Sequence, residues 1–158
     1  MVVYEKSKEN KEFEGMGTTI DICLIYNNRV YISHIGDSRV YRIRNGTIRQ
    51  LTQDHSYVQT LVKQGTITKA EAATHPKKNV LMKALGCNAF VEPDMMIRGF
   101  QKGDTLLLCS DGLTNMVNQD EILNRVTNNF EIAPKELVDS ANQNGGIDNI
   151  TVITIKSL

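Results

Sequence analysis

Thr105-Leu106-Leu107-Leu108-Cys109-Ser110-Asp111-Gly112-Leu113 is the stretch from which the rest of the chain is read. Its apolar run, entered through Gly103-Asp104, has the length and continuity of a strand buried on both faces, and Asp111 stands at the exit. Gly112 has no Cβ, so the backbone can turn sharply there and leave the carboxylate facing a cleft or an ion. A second device of this kind lies near the C-terminus, where Gly145-Gly146-Ile147-Asp148-Asn149 leads into the β-branched run Ile150-Thr151-Val152-Ile153-Thr154-Ile155. Two strand-end aspartates beside glycine turns suit a hard divalent cation, because Mg²⁺ and Mn²⁺ prefer oxygen ligands. The same Asp-Gly pattern also makes ordinary turns, and both readings stand at this point.

Upstream, Thr18 to Tyr26, Arg29 to Ile35, Arg39 to Arg44 and Thr47 to Leu51 read as strands. They are separated by Asn27-Asn28, by Gly36-Asp37-Ser38 and by the hairpin signal Asn45-Gly46, which makes the first third an antiparallel meander. From Asp54 helical spacing replaces alternation. Tyr57, Val58, Leu61 and Val62 share one helix face up to Gly65, and Thr68-Lys69-Ala70-Glu71 is a capping box that opens a second short helix. Asn79 to Leu85 fits a helical turn or a strand edge. Val91 to Phe100 returns to strand, and Gln119 to Val126 and Pro134 to Asn144 are amphipathic helices. Strands, then helices, then strands and helices again point to α+β with a mostly antiparallel sheet rather than a doubly wound parallel one. The opening, Met1 to Glu14, reads as the tail of a helix followed by a solvated linker, since its apolar face is lost after one turn.

The bulk numbers bound the function classes. At 158 residues the chain has the length of one domain with a real core. Lys+Arg 18 against Asp+Glu 18 leaves no net charge, so there is no electrostatic footprint for nucleic acid. The apolar runs are too short to span a bilayer, and no secretory leader is recognised at Met1, so the expectation is a cytoplasmic protein without membrane partners. Cys23, Cys87 and Cys109 form no Cys-x-x-Cys pair and read as reduced core thiols, Cys109 as a core thiol rather than a nucleophile. Among the histidines, His34 reads as a packed strand residue, His55 as an anchor for the segment that follows, and His75 before Pro76 as a turn residue. Asp94, Asp104 and Asp120 read as turn or cap residues, and Lys77-Lys78 as a solvated pair.

Six segments, in order, resemble the metal-dependent serine/threonine protein phosphatases of type 2C in their compact bacterial form. They are Gly15-Met16-Gly17-Thr18-Thr19, Ile35-Gly36-Asp37-Ser38-Arg39, Leu51-Thr52-Gln53-Asp54-His55-Ser56, Ala84-Leu85-Gly86, Leu108-Cys109-Ser110-Asp111-Gly112-Leu113 and Gly145-Gly146-Ile147-Asp148-Asn149-Ile150-Thr151. The resemblance implies one phosphatase-like domain over residues 1–158, built as an antiparallel β-sandwich flanked by helices, with 1–14 as residual helix and linker and 56–85 as a mobile flap that influences substrate choice. It implies hydrolysis of phosphoserine and phosphothreonine by a water bridging two Mn²⁺ or Mg²⁺ ions, with a third ion position beside them. By the same resemblance Asp111 and Asp148 are metal ligands, Asp37 faces the third position, Asn149 orients Asp148, and Gly112 supports the turn at Asp111. Asp37 has an alternative reading as a cap of its own turn through the Ser38 and Arg39 amides.

The family's phosphate-gripping arginine, its bridging aspartate and its general-acid histidine have no counterpart here, so no catalytic side chain of that kind is assigned. The expectation is therefore an N-terminally incomplete phosphatase domain, of lowered metal affinity and doubtful activity, whose partners are phosphorylated proteins and a cognate kinase. Uncovered sheet edges would favour a homodimer. The alternative function is a catalytically inert, phosphatase-like binding module.

Overall fold

The computed structural model describes residues 2–158, and the elements follow the periodicities of the sequence. Helix α1 (Val2–Glu9) is followed by a short 3-10 helix at Lys11–Phe13, whose N-cap Asn10 accepts the Glu12 amide. The opening is thus more helical than a helix tail and linker. Strands β1 (Ile20–Tyr26), β2 (Arg29–Ile35), β3 (Arg39–Arg44) and β4 (Thr47–Gln50) come next. Helices α2 (Tyr57–Lys63) and α3 (Lys69–Thr74) precede β5 (Asp94–Gly99) and β6 (Thr105–Cys109). The chain closes with α4 (Asp111–Thr114), α5 (Gln119–Asn128), α6 (Ala133–Gln143) and β7 (Val152–Lys156).

The strands form two sheets, β1-β2-β5 and β4-β3-β6-β7, and in the second every pairing is antiparallel. This is the α+β architecture that the order of elements implies. The first third is not one meander, however. Positive φ at Asn27 and Asn28 closes the β1–β2 hairpin, and positive φ at Asn45 and Gly46 closes the β3–β4 hairpin, but the two hairpins belong to different sheets. The chain changes sheet at Gly36-Asp37-Ser38. Gly36 adopts φ +113, and a Cβ there would meet Thr19 Cγ2 at 2.3 Å, so only glycine serves at this crossing.

Two compact units are distinguished: Met1–Cys23, Ile32–Asp37 and Gln53–Met96 make the first, and Leu24–Tyr31, Ser38–Thr52 and Ile97–Leu158 the second. In the second, Tyr41 and Ile43 of β3 and Leu107 and Cys109 of β6 pack with Leu113, Ile122, Val126 and Leu137, all buried. The alternation of β3 and the amphipathic faces of α5 and α6 meet there. Asn118 caps α5 by accepting the Glu121 amide, and the Glu121 carboxylate accepts Ser140 Oγ at 2.7 Å, which fastens α5 to α6. Asp104 is 1% exposed and accepts both Nε and Nη2 of Arg44 at 2.6 Å as well as the Gln101 amide at 2.8 Å. It is a buried ion-pair partner as well as a turn residue.

In the first unit Ile32, His34 and Ile35 of β2 are buried, with Val58 and Ala84. The Asn79 to Leu85 stretch makes isolated bridges, Ser56 with Leu81 and Thr18 with Leu85, rather than a helix or strand. The capping box of α3 is complete, since Thr68 Oγ1 accepts the Glu71 amide and Glu71 Oε2 accepts the Thr68 amide. No helix among the described residues is long and apolar enough to cross a membrane.

Candidate metal and phosphate centre

Asp111 follows β6 directly, but the backbone does not swing away at Gly112. Ser110 is the N-cap of α4, and Asp111 is its first helical residue. The glycine is required for a different reason: a Cβ at 112 would lie 2.4 Å from the carbonyl oxygen of Asn149, so the two backbones touch where any side chain would part them. Ser110 does the lacing. Its Oγ makes no cap bond within α4; it donates instead to the Asn149 carbonyl at 2.9 Å and accepts the Thr151 amide at 3.0 Å. The Ser110 amide donates to the Thr151 carbonyl at 3.1 Å. The segments that carry Asp111 and Asp148 are thereby stitched side by side, as an antiparallel extension of the β6–β7 pairing that ends at Cys109 and Val152.

Each carboxylate has one oxygen fixed. Asn115 Nδ2 donates to Asp111 Oδ2 at 3.2 Å, one helical turn on, and the Asn149 amide donates to Asp148 Oδ1 at 2.7 Å. Asp111 is half-buried and Asp148 exposed. Asp148, Asn149, Asn142 and Gly146 line an open cleft of ≈ 470 Å³. Asn149 therefore touches Asp148 through its backbone amide, and Ser110 and Asn115 join the site without having been read from sequence. The signal for Ser110 was its place just before Asp-Gly at a strand exit, the position of a helix cap; the signal for Asn115 was its i+4 spacing from Asp111.

Asp37 lies in the first unit, half-buried, in the turn where the chain changes sheet. Both backbone groups of Gly36 are held by His55: the Gly36 amide donates to His55 Nδ1 at 3.1 Å, and the His55 amide donates to the Gly36 carbonyl at 2.7 Å. The His55 ring thus anchors the Asp37 turn, while its backbone carbonyl, accepting the Met82 amide at 2.7 Å, holds the following segment. His55 Nε2 is 3.1 Å from Asp94 Oδ2 without hydrogen-bond geometry, and Asp94 also binds Lys83 Nζ at 2.9 Å. The His55 ring lies against that of His34, centroids 4.6 Å apart and tilted by 36°. His34 is buried, with Nδ1 2.7 Å from Asp21 Oδ1 and Nε2 3.0 Å from the Gln53 carbonyl. Cys23, half-buried beside this network, has its thiol pKa pushed up to about 11 by burial and then by Asp21, so it is no nucleophile.

Carboxylate oxygens on two stitched segments have the donor chemistry of a hard divalent cation. Among the described residues no three His, Cys, Asp or Glu side chains gather into a group that could hold an ion. Asp111 and Asp148 place one carboxylate on each of the two stitched segments.

A family model described as protein phosphatase 2C matches residues 2–143. The serine/threonine phosphatase Stp of Listeria welshimeri is 43% identical over 158 residues, covering 99% of this chain and 62% of the relative. The crystal structure of the Mycobacterium tuberculosis serine/threonine phosphatase PstP/Ppp superposes with a TM-score of 0.92 at 38% identity, over 99% of this chain and 67% of that one. The catalytic domain of PstP in complex with two manganese ions superposes with a TM-score of 0.86 at 38% identity, over 97% of this chain and 64% of that one. The chain thus spans 62% of the length of the curated relative, and 99% of this chain lies within the match. It belongs to the protein phosphatase 2C family.

Proposed function

We propose that the chain takes part in metal-dependent hydrolysis of phosphoserine and phosphothreonine in proteins, with Asp111 and Asp148 as ligands of Mn²⁺ or Mg²⁺. The observation that carries the reading is the stitching of the Asp111 and Asp148 segments through Ser110, which holds two carboxylate-bearing segments side by side. The two manganese ions of the PstP complex support the choice of metal. When bound, such ions activate a water and neutralise charge on the phosphoryl oxygens. The chain's own share is positional. Ser110 fixes the spacing of the two loops, Asn115 and the Asn149 amide each orient a carboxylate, and Gly112 keeps the loops in contact. Asp37 serves a further ion position, held by His55 through Gly36.

The substrates are phosphorylated cytoplasmic proteins and the functional counterpart is a serine/threonine kinase. Residues 1–158 act as one domain, with 56–85 as a flap that influences substrate choice. A second copy of the chain completes the assembly as a homodimer. The incomplete ligand cluster favours one other reading, an inert phosphatase-like module that binds its partner without turnover.

The test is hydrolysis of p-nitrophenyl phosphate and a phosphothreonine peptide with and without Mn²⁺, beside Asp111→Asn and Asp148→Asn. Turnover lost in both variants, with loss of the Mn²⁺-induced rise in melting temperature, is the expected result. A folded chain with neither turnover nor a Mn²⁺ shift would overturn it in favour of the inert module.

A further inference from the structure

With 18 basic and 18 acidic residues in the chain, a local excess of one sign has to be assembled by the fold. Such an excess stands in the second unit at the hairpin end of β3 and β4. Arg42 and Arg49 are direct cross-strand partners in the β3–β4 register. Like charges so opposed repel, since an antiparallel pair sets their Cβ atoms about 5 Å apart. Arg42 Nη1 and Arg44 Nη2 both donate to the Gly99 carbonyl, at 3.0 and 3.3 Å. One acceptor draws two guanidinium groups together. Arg98, exposed, precedes that glycine, and its Nη1 folds back on the Ile97 carbonyl at 2.9 Å. The carboxylate within the group, Asp104, is taken bidentately by Arg44. Arg42 Nε is buried with no hydrogen-bond partner. Burial first, then the charges of Arg44, Arg49 and Arg98, hold the Arg42 guanidinium below its ordinary pKa against the pull of Asp104.

We propose that Arg42, Arg49 and Arg98 form a docking surface for a phosphorylated residue of a protein substrate, distinct from the residue being hydrolysed. This rests on the phosphatase reading for the identity of the partner. Guanidinium forks match phosphate oxygens in geometry as well as charge, so a dianionic phosphate relieves the repulsion that the bare hairpin carries. The surface is separate from the candidate metal ligands. Arg42 pairs with Leu106, five residues before Asp111, or roughly 15 Å back along β6. Nucleic acid is the poorer fit, because three cations fall short of the roughly six to ten phosphate contacts such sites use.

The experiment is fluorescence anisotropy without divalent metal, using a labelled peptide that carries two non-hydrolysable phosphonate mimics of phosphothreonine. Arg49 and Arg98 are exposed, so Arg49→Glu/Arg98→Glu folds, and it should weaken binding about tenfold or more. Asp111→Asn should bind as the unaltered chain does. Arg49→Glu alone should raise the melting temperature by about 1–4 °C, because it converts a repelling cross-strand pair into an attracting one. Stability and binding moving in opposite directions is the signature of a docking role, which a purely structural arginine would not give. Unchanged binding by the double variant would overturn the proposal. So would equal binding of the unphosphorylated peptide, displacement by orthophosphate at the peptide's own concentration, or tighter binding of an RNA oligonucleotide. Absence of turnover with arginine-dependent binding intact would strike at the phosphatase reading alone.

Discussion

His34 and His55 are in ring contact but have opposite electrostatics, and the difference lies in what their nitrogens face. Both nitrogens of His34 face acceptors, the Asp21 carboxylate and the Gln53 carbonyl, an arrangement that favours the doubly protonated ring. Burial opposes that charge, but the hydrogen bond and charge of Asp21 outweigh it and raise the pKa above 6.5. His55 accepts the Gly36 amide at Nδ1, so its proton sits on Nε2, and burial holds its pKa below 6.5 despite Asp94. In ¹H–¹⁵N spectra of the imidazoles, His34 should therefore titrate at higher pH than His55. The linkage follows in sign. With a raised folded-state pKa, His34 stabilises the fold fully below about pH 6.5, and the contribution is lost as pH rises through its folded pKa. Thermal melts of the chain and of His34→Asn should differ most on the acid side and converge as pH rises. A gap independent of pH would mean that the ring is neutral and only packs. The sequence reading placed His34 correctly as a packed strand residue, but its partners Asp21 and Gln53 are thirteen and nineteen residues away, and no local pattern announces such pairs.

The elements most legible in sequence were those whose signals are local. The strand from Thr105, the Asn45-Gly46 hairpin and the Thr68–Glu71 capping box all stand where their residues put them. What local signals could not show was which sheet a hairpin joins, because Gly36-Asp37-Ser38 reads as a turn whether the chain stays in one sheet or changes to another. The turn at Asp111 was misread for a similar reason. Gly112 looked like a conformational device, and its purpose is a tertiary contact with Asn149, thirty-seven residues on. Helix α3 offers a direct test of the local kind. It buries no residue, so its cap is a large part of what holds it. Thr68→Ala should cost about 1 kcal/mol locally. Hydrogen exchange should quicken across Lys69–Thr74 by about fivefold while β6 and α6 stay protected. Unchanged exchange in α3 would mean that packing, not the cap, sustains the helix.

At the scale of the whole molecule, the core and the surface follow different logics. The cluster around Tyr41, Leu107, Leu113, Ile122 and Leu137 is fully buried, and its residues are those that the strand and helix periodicities mark as inward. Strand β1, by contrast, leaves Ile22, Leu24 and Tyr26 54%, 62% and 63% exposed, a row at every second position, and β5 leaves Met95 and Ile97 71% and 51% exposed. Both are the outer strands of the three-stranded sheet. An apolar row on an outer strand removes water when it is covered and offers unpaired backbone groups when it is not, so it favours association between chains. The chain should therefore self-associate with rising concentration in sedimentation velocity runs. Leu24→Lys/Ile97→Lys should shift it towards monomer, because two charges on outward positions oppose contact without entering either core. Arg49→Glu, on the other sheet, should leave the association unchanged. A monomer at every concentration, or association untouched by the lysines, would show that these rows are covered by nothing of this chain and would remove the homodimer from the functional picture.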